Sequence, residues 1–261
     1  MAETIVMIHG MWGGPWYWEN YRTFFEGKGY SCVIPTLRFH NMDPKAKPDP
    51  VLGTTSLLDY AADLEEEIRK LDSQPILMGH SMGGLLAQIL GSRGLAKALV
   101  LLAPAPPAGI KALMPSVIRS FWSVLLRPNF WKTPNRQTFN EAVYSMLQLL
   151  SPEECEKAYD RFVYESGRAA SEIGFWQVDP KKASSVDEKK VNCPVLVIGA
   201  SQDKITPASV VHNVARKYGA VSTYKEFPNH AHWVVAEPGW QEVAAYSLEW
   251  LDKVLSKRVP Q

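Results

Sequence analysis

Pro75-Ile76-Leu77-Met78-Gly79-His80-Ser81-Met82-Gly83-Gly84-Leu85-Leu86 is the stretch on which the reading of the fold turns. Its first half is a short apolar run that stops at a glycine, the pattern of a buried strand. Its second half carries apolar residues at helical spacing from Met82 to Ser92. Between them stands Gly-x-Ser-x-Gly. Taken alone that pattern is also a plain glycine-rich turn. A strand before it and a helix after it give the serine the sharp strand-to-helix bend that exposes a nucleophilic hydroxyl. Small flanking residues let the strained backbone pack, and the helix N-terminus offers free N–H groups to charge forming on a substrate.

Outward from this turn the same alternation repeats. Thr4–Ile8, Pro75–Met78, Ala98–Leu102 and Pro194–Ile198 read as buried parallel strands, with Tyr30–Ile34 and Thr223–Phe227 as weaker ones. Helical patterns lie between them at Trp16–Glu26, Leu57–Leu71, Met82–Ser92, Ala208–Lys217 and Trp240–Leu255. Thr54-Thr55-Ser56 supplies hydroxyls for an N-cap, and Glu237-Pro238 places a carboxylate and a first-turn proline ahead of the last helix. Alternating strands and helices predict an α/β fold: a mainly parallel sheet of about six strands with helices on both faces.

The alternation breaks once. After Pro104-Ala105-Pro106-Pro107 about 85 residues pass before the next strand, too many for a structureless loop in a compact domain. Helical pieces at Ser116–Leu126, Thr138–Leu149 and Pro152–Gly167 make this interval an inserted helical cap, with Lys181–Lys190 as the return path. The expected organisation is a core over 1–106, a cap over 107–190 and the rest of the core over 191–261.

An activated serine needs a base and donors for the oxyanion. His9-Gly10-Met11-Trp12-Gly13-Gly14 follows the first strand. It lacks the spacing of a dinucleotide loop and the Lys-Ser/Thr of a P-loop. One donor is expected from Met82, directly after the nucleophile, and the second from Met11, with Trp12 as the alternative. Losing one such donor typically costs about 2.7–4 kcal/mol of transition-state stabilisation. His9 reads as a structural group under the loop, and His80, beside the serine in sequence, points away from its hydroxyl. His212 lies in a helical pattern and His40 in a polar loop. His230 and His232 follow the last strand, where a loop can return to the catalytic rim. Asp203 ends the loop after Pro194–Ile198, at a strand's carboxyl end, where ligand and catalytic groups of open α/β sheets gather. It reads as the acid that orients the imidazole, and an N-cap role for the helix opening at Thr206-Pro207 does not exclude this.

In this chain order, Ser then Asp then His, the sequence resembles the α/β-hydrolase superfamily over nearly its whole length. The resemblance rests on the His9-Gly10 loop, the Gly79–Gly84 elbow, the strand running into Asp203 and His232-Trp233-Val234-Val235-Ala236-Glu237-Pro238. In that family the base precedes an aromatic or aliphatic residue and then a Glu-Pro helix start, which selects His232 over His230. A start at the family's third strand, with an aromatic Met11–Trp18 stretch, is similar to the hydroxynitrile lyase and plant methylesterase branch. The family's Asp-x-x-Gly-x-Gly is replaced by Pro35-Thr36-Leu37-Arg38-Phe39-His40.

The resemblance implies a serine esterase with catalytic Ser81, Asp203 and His232, acting through an acyl-enzyme on small to medium, largely apolar carboxylic esters. No metal and no organic cofactor is implied. Ser81 argues against dehalogenases and epoxide hydrolases, which use an aspartate nucleophile. Trp233, where hydroxynitrile lyases carry a lysine, argues against lyase activity. Carbon–carbon bond hydrolases, lactonases and perhydrolases share the triad, and a receptor that has lost turnover is the non-enzymatic alternative. The aromatic residues Trp12, Phe121 and Trp122 are expected to line the substrate pocket, or else to bury the cap against the core.

Composition agrees with a small-molecule enzyme. A net charge of +1 gives no sign of a nucleic-acid partner. Between Ser73 and Asn140 there are seven Lys and Arg and no acid, a rim suited to anions or a solvated face. No apolar run approaches the roughly 20 residues that span a bilayer, and no signal-peptide pattern precedes the first strand. Cys32, Cys155 and Cys193 fit neither a disulfide framework nor a zinc site, which favours a cytoplasmic setting. The oligomeric state is left open.

Overall fold

A computed structural model describes residues 2–256. In chain order its elements are β1 (Thr4–Ile8), α1 (Glu19–Glu26), β2 (Ser31–Val33), α2 (Leu57–Arg69), β3 (Ile76–His80), α3 (Met82–Ser92), β4 (Ala98–Leu102), α4 (Pro115–Ser120), α5 (Trp122–Leu125), α6 (Phe139–Ser145), α7 (Pro152–Tyr159), α8 (Gly167–Gly174), β5 (Val195–Ala200), α9 (Ala208–Tyr218), β6 (Ser222–Phe227) and α10 (Trp240–Ser256). The six strands are all parallel, in the order β2-β1-β3-β4-β5-β6.

Burial along the strands explains this order. Every residue of β3, β4 and β5 is buried, as a continuous apolar run requires when helices cover both faces. β2 and β6 form the edges: β6 carries Lys225 and Glu226, whose charge discourages further pairing, and β2 is only three residues long. Crossovers between parallel strands are right-handed. The step from β1 to β2 therefore puts α1 on one face, where it packs on α10. The opposite steps put α2, α3 and α9 on the other face, with α2 against α3. Ser56 caps α2 in a reciprocal capping box with Asp59, as its hydroxyl leads one to expect.

The helices between β4 and β5 depart from the sequence pattern in instructive ways. The expected helix over Ser116–Leu126 is broken at Phe121 into α4 and α5. The pattern over Thr138–Leu149 shortens to α6, and that over Pro152–Gly167 ends with α7 at Tyr159. Between α7 and α8 the chain makes a lone antiparallel bridge, Asn135 to Glu165, before Ser166 caps α8. That long-range pairing outweighs helical spacing. The ends of the segment between β4 and β5 are held together where the Ala108 N–H donates to the Ser184 carbonyl at 3.0 Å. None of Cys32, Cys155 and Cys193 is in a disulfide. Among the described residues no helix is long and apolar enough to cross a membrane.

Candidate active site

The strand order reverses at β1. The chain leaves it for β2 on one side and returns to β3 on the other, so the loops after β1 and β3 diverge. Open α/β sheets bind ligands in the crevice formed there, at the carboxyl ends. Here that crevice holds Gly10–Trp12 and Ser81.

Ser81 lies between β3 and α3 with φ 55° and ψ −121°, a conformation that costs a non-glycine residue about 1–3 kcal/mol. The surroundings hold it there. Its N–H donates to Leu102, and its carbonyl accepts from Gly84, Leu85 and Ala105 at 2.9–3.2 Å. The flanking glycines follow from close approach. A Cβ on Gly79 would sit 2.3 Å from the Gly83 carbonyl oxygen, and one on Gly83 would sit 2.1 Å from that of Ile8.

The Ser81 hydroxyl donates to His232 Nε2 at 2.9 Å, and His232 Nδ1–H donates to Asp203 Oδ2 at 2.7 Å. All three residues are buried. Asp203 Oδ1 accepts the N–H groups of Ile205 and Thr206, both at 2.8 Å, and Oδ2 also accepts the Thr206 hydroxyl at 2.7 Å. The acid is therefore held by its own turn rather than by capping α9, whose N-cap is Pro207. An ionised carboxylate with this many donors keeps the imidazole proton on Nδ1 and leaves Nε2 free to accept one.

His80 supports this from beneath. Its Nε2–H donates to the His232 carbonyl at 2.8 Å, and its ring lies 4.8 Å from that of His232. Burial, with the neighbouring His232, holds His80 well below the usual histidine range. His9 stands under the first loop, Nδ1–H donating to Gly10 and Nε2 accepting from Leu37. Burial, with His40 nearby, lowers its pKa to about 3. Both rings are neutral struts.

His230 takes a different course. Its Nδ1 bonds Glu237 Oε1 at 2.8 Å, and the same oxygen accepts the Ala231 N–H. The carboxylate expected to open the last helix is spent on this pair, and α10 begins three residues later. Trp233 is buried against Tyr17, with ring centroids 4.5 Å apart, a place closed to a lysine ammonium.

Met11, Ser81 and Met82 border one cavity of about 80 Å³. Its other walls come from the loop after β4, from α4, α5 and α8, and from Phe130 and Phe175; among the described residues Thr206 is the only other polar one there. Phe121 lines it. Trp12 and Trp122, expected beside it, do not. Trp12 is buried behind Phe121, its Nε1–H donating to Asn135, with the rings 5.4 Å apart. Trp122 is 55% exposed, because the turn at Phe121 aims Phe121, Val124 and Leu125 inward and Trp122 outward.

Sequence reasoning missed two groups. Thr206 bonds Asp203 through both hydroxyl and N–H; its one signal was Asp-x-x-Thr ahead of a proline. The other is a buried cluster behind the first loop. His40 donates from Nε2 to Glu165 and from Nδ1 to the Arg38 carbonyl, both at 3.1 Å, while Tyr60 and the Ser166 N–H fill the other Glu165 oxygen. Burial opposes charge on His40, but Glu165 together with the Arg38 and Leu37 backbone outweighs it and raises the pKa. Glu165 also pairs by backbone with Asn135, the acceptor of Trp12. Nothing local in sequence links residues 12, 40, 135 and 165.

The chain matches the model of the Alpha/beta hydrolase family over residues 5–246 and belongs to that family. Similar solved structures include a methylesterase from Arabidopsis (TM-score 0.72, 13% identity, covering 96% of this chain and 99% of that one). A pyrethroid hydrolase from Sphingobium faniae JZ-2 gives a TM-score of 0.72 at 16% identity, covering 97% and 98%. A monoacylglycerol lipase from Paleococcus ferrophilus gives 0.68 at 21% identity, covering 95% and 93%. At these identities the likeness is one of fold. No curated protein matches the chain.

Proposed function

We propose that the protein is a serine carboxylesterase acting on small to medium, largely apolar esters, with Ser81 as nucleophile, His232 as general base and Asp203 as its orienting acid. The observation that carries this reading is the unbroken relay from the Ser81 hydroxyl through His232 to Asp203, opening on an apolar cavity. His232 Nε2 takes the hydroxyl proton as Ser81 Oγ attacks the ester carbonyl, then returns it to the departing alkoxide. The N–H groups of Met82 and Met11 receive the oxyanion; Met11 is preferred to Trp12 because it borders the cavity and Trp12 is turned behind it. Water, deprotonated by His232, then releases the acid from the acyl-enzyme. The segment over 107–190 acts as a cap, and its apolar wall selects an acyl or aryl group without charge. Solvolysis of short p-nitrophenyl esters, with fluorophosphonate labelling mapped by mass spectrometry, tests this. Label on Ser81 and turnover lost in Ser81→Ala are expected; label elsewhere, or an unchanged rate, overturns it.

A further inference from the structure

The helical stretch from α4 through α5 is apolar on two sides. One side, Val117 and Val124 with Phe121 between them, packs inward. The other presents Met114, Ile118, Trp122 and Leu126, spaced four residues apart and 40%, 36%, 55% and 64% exposed. Helices that are apolar all round are ordinarily buried all round, so this second stripe lacks the partner its composition calls for. Exposed apolar groups in a contiguous run mark interaction surfaces.

Charge narrows the partner. In sequence, Lys111, Arg119, Arg127 and Lys132 border or interrupt the stripe, and all four are exposed, Arg119 lying 4.0 Å over the Tyr144 ring. No acid occurs between Ser73 and Asn140. The next one, Glu141, is spent on Ser123 and Thr138, bonding the N–H and hydroxyl of each. The stripe also meets the cavity mouth. Ile118 belongs to both the cavity wall and the outer surface, and Leu113, 46% exposed, lines the same wall.

We propose that this face docks the protein onto an anionic lipid–water interface, with Met114, Ile118, Trp122 and Leu126 entering the headgroup–acyl boundary and the surrounding cations meeting lipid phosphates. Apolar area and attraction to anionic headgroups together set the strength of such interfacial binding. An indole is at home at that depth, apolar in body and polar at its N–H. Docked this way, the Leu113–Ile118 edge of the cavity faces the membrane, so an apolar ester passes from lipid into the cavity without crossing water.

Flotation of the full chain with vesicles of phosphatidylcholine, alone or mixed with phosphatidylglycerol, reads the proposal without passing through Ser81, so its outcome is separate from that of the esterase assay. Wild type floats with the anionic vesicles and is released by salt. Leu126→Asp weakens the partition about tenfold or more, from the lost apolar insertion, and Arg127→Glu about fivefold or more. Both sites are exposed, and thermal melting of each variant checks that it folds. Absence of wild-type flotation, equal flotation by Leu126→Asp, or a dimer in sedimentation equilibrium that Leu126→Asp dissociates would overturn the proposal, the last by making the stripe a contact between copies of this chain.

Discussion

His230 and His232 stand two residues apart, both are buried, and each bonds a carboxylate through Nδ1, at 2.8 and 2.7 Å. They differ in what lies at the other nitrogen. Nε2 of His232 meets the Ser81 hydroxyl at the edge of a cavity, whereas Nε2 of His230 has Glu242 at 3.9 Å. Their acids differ too. Both Asp203 oxygens are bonded by protein donors, whereas Glu237 Oε2 has no partner among the described residues. A histidine–carboxylate pair is thus a common way to satisfy a buried turn. It becomes candidate machinery only where the free nitrogen addresses a nucleophile beside a space for substrate.

Substitution separates the two pairs most sharply in turnover. Ser81→Ala and His232→Ala are each expected to lower kcat for a p-nitrophenyl ester by about 10⁴-fold or more, while His230→Ala stays within about tenfold. Activity surviving in His232→Ala but not in His230→Ala would exchange their roles. The second contrast is in stability. His230→Ala leaves the buried Glu237 Oε1 with only the Ala231 N–H among its donors in the described residues, and a lost hydrogen bond to a buried acceptor costs about 1–3 kcal/mol. Urea unfolding of His230→Ala should therefore show a lower midpoint, and an unchanged midpoint would show that Glu237 finds another donor.

A smaller effect distinguishes the neutral struts from the charged cluster. His9 and His80 bind a proton more weakly folded than unfolded. The stability they contribute is complete above about pH 6.5, the unfolded value, and declines as pH falls toward about 3 for His9, by about 1.4 kcal/mol per pH unit for each ring. His40, raised by Glu165, runs the other way: its contribution is present below about pH 6.5 and is lost as pH rises through its folded value. Unfolding free energies from pH 7 to pH 4 should fall for wild type and fall less steeply for His9→Asn. The smallest expected effect lies in the cavity wall. Phe121→Ala should raise KM for an aryl ester about tenfold, whereas Trp122→Ala, on the outer surface, should leave KM for a water-soluble ester unchanged. Equal effects would mean that Trp122 swings inward.

Where one local feature determines structure, the sequence was readable. β1, β4 and α3 lie where apolar runs and the Gly-x-Ser-x-Gly turn place them. The parallel sheet follows from the alternation alone. The meeting of Ser81, His232 and Asp203 was legible because each ends a strand on the same side of the sheet, and topology brings such ends together. The segment between β4 and β5 resisted for the opposite reason. The break at Phe121, the bridge from Asn135 to Glu165 and the outward turn of Trp122 depend on partners tens of residues away. Periodicity tells that a residue is apolar and on a helix, but not which of two faces is covered. Thr206 falls between these cases, local to Asp203 yet indistinguishable in sequence from a capping hydroxyl.

The hydrogen bond from Ala108 to Ser184 closes the segment between β4 and β5 at its neck. The parallel strands β4 and β5 are consequently joined as though the chain passed from Ala108 straight to Ser184 and on into the crossover. Helices beyond the neck can be lengthened, deleted or exchanged for another set without changing the separation that β4 and β5 must span. Diversification of what the enzyme accepts can then proceed as replacement of a cassette, while the hydroxyl, imidazole and carboxylate keep their positions.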